Sequence, residues 1–114
     1  REEVGLYNAK PECNFIFTVG AYRDMMEALQ EVNKKQNLER LRKDMPILLM
    51  AGDQDPVGDF GKGPKHLYKI YKSLGLDCRL RMYKDSRHEL LHDLDRQKVC
   101  KDLIKWLDYY VEKL

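Results

Sequence analysis

The pattern of apolar and polar residues is clearest from the middle of the chain onward. Pro46-Ile47-Leu48-Leu49-Met50-Ala51 is an unbroken apolar run of strand length, closed by Gly52. A strand without polar alternation suits burial on both faces, as in a parallel sheet covered by helices. A breaker-rich loop follows, Gly52 to Gly63, and Pro64 then suits the first turn of a helix. Leu67, Ile70, Tyr71 and Leu74 give that helix an apolar stripe, and Gly75 is placed to end it. Next, Cys78, Leu80 and Met82 alternate with Arg79, Arg81 and Tyr83, which predicts a strand at or near a sheet edge. After a polar loop, Val99, Leu103, Trp106, Leu107, Tyr110 and Leu114 predict one apolar face of a long final helix. The order strand, helix, strand, helix is a βαβα unit with a right-handed crossover expected.

The first part of the chain is less regular. Residues 1–14 are polar, carry Gly5 and Pro11, and read as irregular. Phe15-Ile16-Phe17-Thr18-Val19 predicts a short strand ending at Gly20. Met25, Met26, Leu29 and Val32 predict a helix from Tyr22, and Asn37 is an acceptable N-cap for a second short helix holding Leu38 and Leu41. The natural division is therefore 1–44 and 45–114. Two strands and one covering helix cannot bury a parallel sheet on both faces, so residues 45–114 read as the end of a larger sheet.

Composition narrows the function classes. Over 114 residues, 43% are apolar and 35% charged, which suits one globular domain at most. The 21 basic and 19 acidic residues are interleaved and leave a formal net charge of +2. No dense basic face is present of the kind nucleic-acid or anionic-membrane binding requires. No apolar run approaches the roughly 18 residues of a membrane span. Cys13, Cys78 and Cys100 are odd in number with no CxxC spacing, which argues for a reducing, cytoplasmic setting over a disulfide framework. The chain opens at Arg1 rather than at an initiator Met, and a preceding segment is expected.

Chemistry is expected where open α/β sheets place it, on loops beyond the carboxyl ends of the strands. One such loop carries Asp53, Asp55 and Asp59, and the other carries Asp85, His88, Glu89 and His92. If the strands are parallel neighbours, an acid on the first loop can reach His88 on the second. A carboxylate accepting one ring N–H holds the tautomer and stabilises the imidazolium formed in general-base catalysis.

The pieces PILLMAGDQDPVG, LRMYKDSRHELL and DLIKWL together resemble the last third of the α/β-hydrolase family, in its monoacylglycerol lipase and lysophospholipase branch. The resemblance implies an α/β fold, the C-terminal βαβα portion of an α/β-hydrolase core preceded by a helical segment that leads back from the cap region. It also implies hydrolysis of small lipid-like carboxylic esters, with no cofactor. The acid of the family's Gly-x-x-Asp turn falls on Asp55, and the triad histidine falls on His88. The nucleophile of the family sits in a Gly-x-Ser-x-Gly elbow upstream of the acid. Only Ser73 and Ser86 occur here, both downstream of Asp55 and neither in that context, so the nucleophile and the oxyanion-hole amides are expected outside these residues.

Three other readings follow from the same residues. His88-Glu89-Leu90-Leu91-His92 matches His-Glu-x-x-His, which on a helix would place two imidazoles on one face for zinc, with Asp108 or Glu112 as a distant third ligand. Asp53-Gln54-Asp55-Pro56-Val57 after an apolar strand resembles the aspartate-nucleophile motif of haloacid-dehalogenase-like phosphatases, but the follow-on motifs are not apparent. An exposed strand edge would also suit an interaction or self-association module. Asp53 and Asp59 alone read as turn formers, and His66 and His92 as surface or partly packed residues.

Overall fold

The computed structural model describes residues 2–113 and divides into two compact units, Arg1–Leu41 and Arg42–Leu114. In the first unit, α1 spans Glu2–Asn8, a 3-10 turn spans Pro11–Cys13, α2 spans Val19–Val32 and α3 spans Lys35–Glu39. Two expectations are corrected here. Residues expected to be irregular form α1, and the segment expected to be a strand is extended chain that runs directly into α2. Its apolar, β-prone residues suggest a strand, but Thr18 is an N-cap whose side chain accepts the Ala21 amide at 3.1 Å. That bond satisfies one of the free donors at the helix start, so Val19 and Gly20 become its first turn. Without a partner strand, Phe15 and Phe17 stack on each other at 5.2 Å, and Phe17 packs against Tyr22 at 5.3 Å. Asn37 lies inside α3 rather than at its cap, which Lys34 occupies.

The second unit is built around a two-stranded parallel sheet. β1, Ile47–Gly52, pairs with β2, Cys78–Tyr83, in a register that sets Ile47 opposite Cys78 and Gly52 opposite Tyr83. Between them α4, Lys62–Ser73, makes the crossover that a parallel pair requires. Gly75, at φ 74°, turns the chain out of α4, a backbone region costly for residues with a Cβ. A second 3-10 turn, Leu90–His92, precedes α5, Arg96–Val111. The alternation expected of β2 holds through residues 78–82, with Cys78 buried, Leu80 and Met82 half-buried, and Arg79 and Arg81 exposed. Tyr83, expected on the arginine face, is instead buried because it packs into the core and bonds to Asp102. β1 is half-buried through residues 47–51 and has β2 as its one strand neighbour among the described residues. On α5, Val99 is buried and Leu103, Trp106 and Tyr110 are half-buried at helical spacing, while Leu107 is exposed. Leu114 lies outside the described residues. Among those residues, no helix is long and apolar enough to cross a membrane.

The core of this unit gathers Leu76, Cys78, Tyr83 and Val99. Tyr83 is 1% exposed, and its hydroxyl donates to Asp102 Oδ2 at 3.0 Å, tying the end of β2 to α5. Burial first, and then the hydrogen bond to the Asp102 carboxylate, push the phenol up to about 12. A group whose folded pKa is raised contributes stability below its unfolded value and loses it as pH rises through the folded one. Unfolding is therefore expected to become easier between about pH 10 and 12. Tyr83→Phe should cost about 1 kcal/mol at neutral pH and remove this part of the alkaline loss. Melting temperature measured against pH checks both.

Candidate active site

The parallel register brings two loops to one end of the sheet. Beyond the paired ends of β1 and β2, the Asp53 amide donates to Tyr83 O at 3.0 Å and the Gln54 amide to Ser86 O at 2.9 Å. This close docking is possible because residue 52 is glycine. A Cβ there would lie 2.1 Å from Ser86 O, 2.4 Å from Ser86 C and 2.5 Å from Arg87 O. All three of these atoms are backbone, so no side chain could rotate away.

Asp55 follows on the first loop. Its carboxylate is almost buried, with Oδ1 accepting the Val57 amide at 2.9 Å, while its carbonyl accepts the Phe60 amide at 2.8 Å. Asp55 Oδ2 lies 3.0 Å from Nδ1 of His88, whose side chain is 59% exposed. Burial is the largest influence on Asp55 and would raise its pKa. The His88 hydrogen bond, the Val57 amide, the His88 charge and the Gly58 amide together outweigh it and hold the carboxyl below its ordinary value. Asp55 is thus an acceptor at neutral pH, and the proton of a neutral His88 belongs on Nδ1. Nε2 is then left with its lone pair. The hydrogen bond to Asp55, its charge and, more weakly, the charge of Glu89 lift the imidazole above its ordinary value against the effect of burial. An imidazole held in this way can accept a proton at Nε2 and stabilise the cation formed.

Other sequence expectations fare differently. The His-Glu-x-x-His segment does not lie on an α-helix: Glu89 is the N-cap of the 3-10 turn, His88 precedes it, and His92 Nδ1 lies 3.6 Å from Glu89. The shared helical face needed for zinc is lacking. Among the described residues, no group of three or more His, Cys, Asp or Glu could hold a metal ion. Asp53, the first acid after β1, has Oδ1 accepting the Asp85 amide at 2.8 Å. Residue-type reasoning missed this bond and that of Asp93, which takes the Arg87 amide on Oδ2 at 2.7 Å and the Leu94 amide on Oδ1 at 2.8 Å. The only cue for Asp53 was its place one residue beyond a strand end.

A model of the family described as serine aminopeptidase, S33, matches residues 1–95. The chain belongs to this α/β-hydrolase family. The chain is also similar in structure to a highly thermostable carboxyl esterase from Bacillus coagulans, solved in complex with glycerol, at 24% identity and a TM-score of 0.85. The match covers 94% of this chain and 36% of the esterase, so the chain spans about a third of that protein's length. At this identity the likeness shows the fold, that of an α/β-hydrolase. No curated protein matches the chain.

Proposed function

We propose that this chain supplies the acid and the base of a serine-hydrolase triad that cleaves carboxylic esters. The observation that carries the reading is the 3.0 Å contact between Asp55 and His88 on loops at the same ends of adjacent parallel strands. In the mechanism, a serine outside these residues attacks the acyl carbonyl while His88 Nε2 takes its proton. The proton then passes to the departing alcohol, and water attacks the acyl-enzyme with His88 again as base. Asp55 stays ionised throughout and keeps the ring oriented. An outside nucleophile accords with the state of the two serines present: Ser73 donates its hydroxyl to Ile70 O at 2.7 Å, and Ser86 is buried.

The preferred substrates in this reading are monoacylglycerols or lysophospholipids, supported by the resemblance of the loop motifs and by the esterase fold likeness. A second reading, release of amino-terminal residues from peptides, is favoured by the description of the family model. Rates of the intact enzyme on 4-nitrophenyl esters, a monoacylglycerol and aminoacyl 4-nitroanilides separate the two. Ester turnover with negligible anilide turnover is expected, and the reverse would favour the peptidase.

The triad assignment is tested by Asp55→Asn. kcat is expected to fall roughly 10⁴-fold, the size seen when the orienting carboxylate of a serine protease is neutralised. The rate should rise with pH as His88 loses its proton, with a midpoint above the ordinary imidazole value of 6.5. In Asp55→Asn that midpoint should fall, because the raised pKa depends on the Asp55 carboxylate. A pH–rate profile and an NMR titration of His88 read the two effects separately.

A further inference from the structure

His88 is exposed on its loop, so side-chain packing does little to aim it; the backbone around it must do so. That backbone is held at two points by carboxylates other than Asp55. Upstream, Asp53 Oδ1 accepts the amide of Asp85 at 2.8 Å across a separation of 32 residues. Asp85 stands at φ 60°, a left-handed conformation that is strained for a residue with a Cβ and needs outside support. Downstream, Asp93 Oδ2 accepts the amide of Arg87, the residue immediately before His88, at 2.7 Å. Its other oxygen holds the Leu94 amide at 2.8 Å. The stretch from Asp85 to Arg87, immediately before His88, is thus held at both ends. One of the two anchors is rooted in the loop that also carries Asp55.

From these contacts we infer that Asp53 and Asp93 are positioning residues for His88, acting through the backbone amides of Asp85 and Arg87. The inference rests on the proposed role of His88 as the base. Asp53 Oδ1 also takes the side-chain amide of its neighbour Gln54 at 3.2 Å, but the bond to Asp85 reaches across to the second loop and, with the Gln54–Ser86 backbone bond, ties the two loops together. Asp93 spends both oxygens on amides, which also hold its carboxyl below the ordinary value. Neither residue is a source of the raised pKa of His88, which comes from Asp55 and then Glu89. Their influence is therefore geometric rather than electrostatic.

The two mechanisms of loss can be separated by paired substitutions in the intact enzyme. Asp53→Ala and Asp93→Ala are expected to lower kcat on a short-chain 4-nitrophenyl ester by roughly 10- to 100-fold, the scale of an ångström-sized misplacement. KM should stay within about twofold, since neither carboxylate is placed to touch substrate. The NMR titration midpoint of His88 should drop toward the ordinary imidazole value as its bond to Asp55 loosens. Asp53→Asn should restore both readouts, because one carbonyl oxygen suffices for the single Asp85 amide. Asp93→Asn should restore them only in part, because the Arg87 and Leu94 amides occupy different carboxylate oxygens and the NH2 that replaces one of them cannot accept. An unmoved His88 midpoint and an unchanged kcat per folded molecule, with lower melting temperature alone, would overturn the inference. So would equal losses in Asp53→Ala and Asp53→Asn. The His88 titration does not require turnover, so it still reports on positioning if His88→Ala leaves hydrolysis intact and the triad reading itself fails.

Discussion

Replacing His88 by alanine is expected to lower kcat by roughly 10⁵- to 10⁶-fold, the loss found when a triad histidine is removed, while leaving the fold in place. The catalytic part follows from the site: Nε2 is the one basic atom that the Asp55 contact leaves oriented for proton transfer, and no second histidine shares the position. His92 is turned toward Glu89, and His66 lies within α4. The structural part follows from exposure. With 59% of the side chain in solvent, little apolar contact is lost on truncation. Asp55 keeps the Val57 amide, so its nearly buried carboxylate is not stranded. Melting temperature should therefore move by no more than a few degrees, and a circular dichroism spectrum should be unchanged. Hydrolysis at near-normal rate by folded His88→Ala enzyme would remove His88 from the mechanism.

The second large effect is expected at a residue with no chemistry of its own. In Gly52→Ala, the added carbon meets Ser86 O at 2.1 Å and Arg87 O at 2.5 Å, far inside any contact a real Cβ makes. Only movement of the second loop away from β1 relieves this. That movement breaks the Gln54–Ser86 bond and strains the Asp53–Asp85 bond. It also carries His88 outward, because His88 follows directly on the residues displaced. Overpacking of this kind costs roughly 1–3 kcal/mol, and the opening between acid and base should lower kcat about 100-fold in the molecules that remain folded. Chemical denaturation and active-site titration, performed on the same preparation, distinguish the two losses. A folded, fully active Gly52→Ala enzyme would mean that the loops approach each other less closely than described.

How far the sequence announced this structure differs between the two units. In Arg42–Leu114 the strong patterns agree with the elements: the apolar run at 47–51 is a strand, though half-buried rather than covered on both faces, and the alternation at 78–82 is a half-covered one. With a helix between them, parallel pairing followed, and with it the meeting of residues 55 and 88. In the first unit the local signals compete. Phe15 to Val19 has strand composition, yet the Thr18 cap and the helical stripe of α2 decide the outcome, and neither depends on the average preference of the segment. The polar, glycine-containing residues of α1 gave no periodic signal at all. At the site, the meeting of Asp55 and His88 could be read because motif and spacing constrain it. Asp53, Asp85 and Asp93 could not, because backbone amides accept help from any nearby carboxylate, and composition does not say which one arrives.

The parallel sheet also divides the unit between what evolution can alter and what it must keep. Asp55 and His88 lie past the carboxyl ends of both strands, whereas Gly75 lies at the opposite end, where a Cβ would meet nothing within 4 Å. Lengthening the connection there would leave the spacing of the two loops to the strand register. Descendants of this sequence can thus acquire an embellishment, or a whole inserted module, at the turn after α4 without retuning their chemistry.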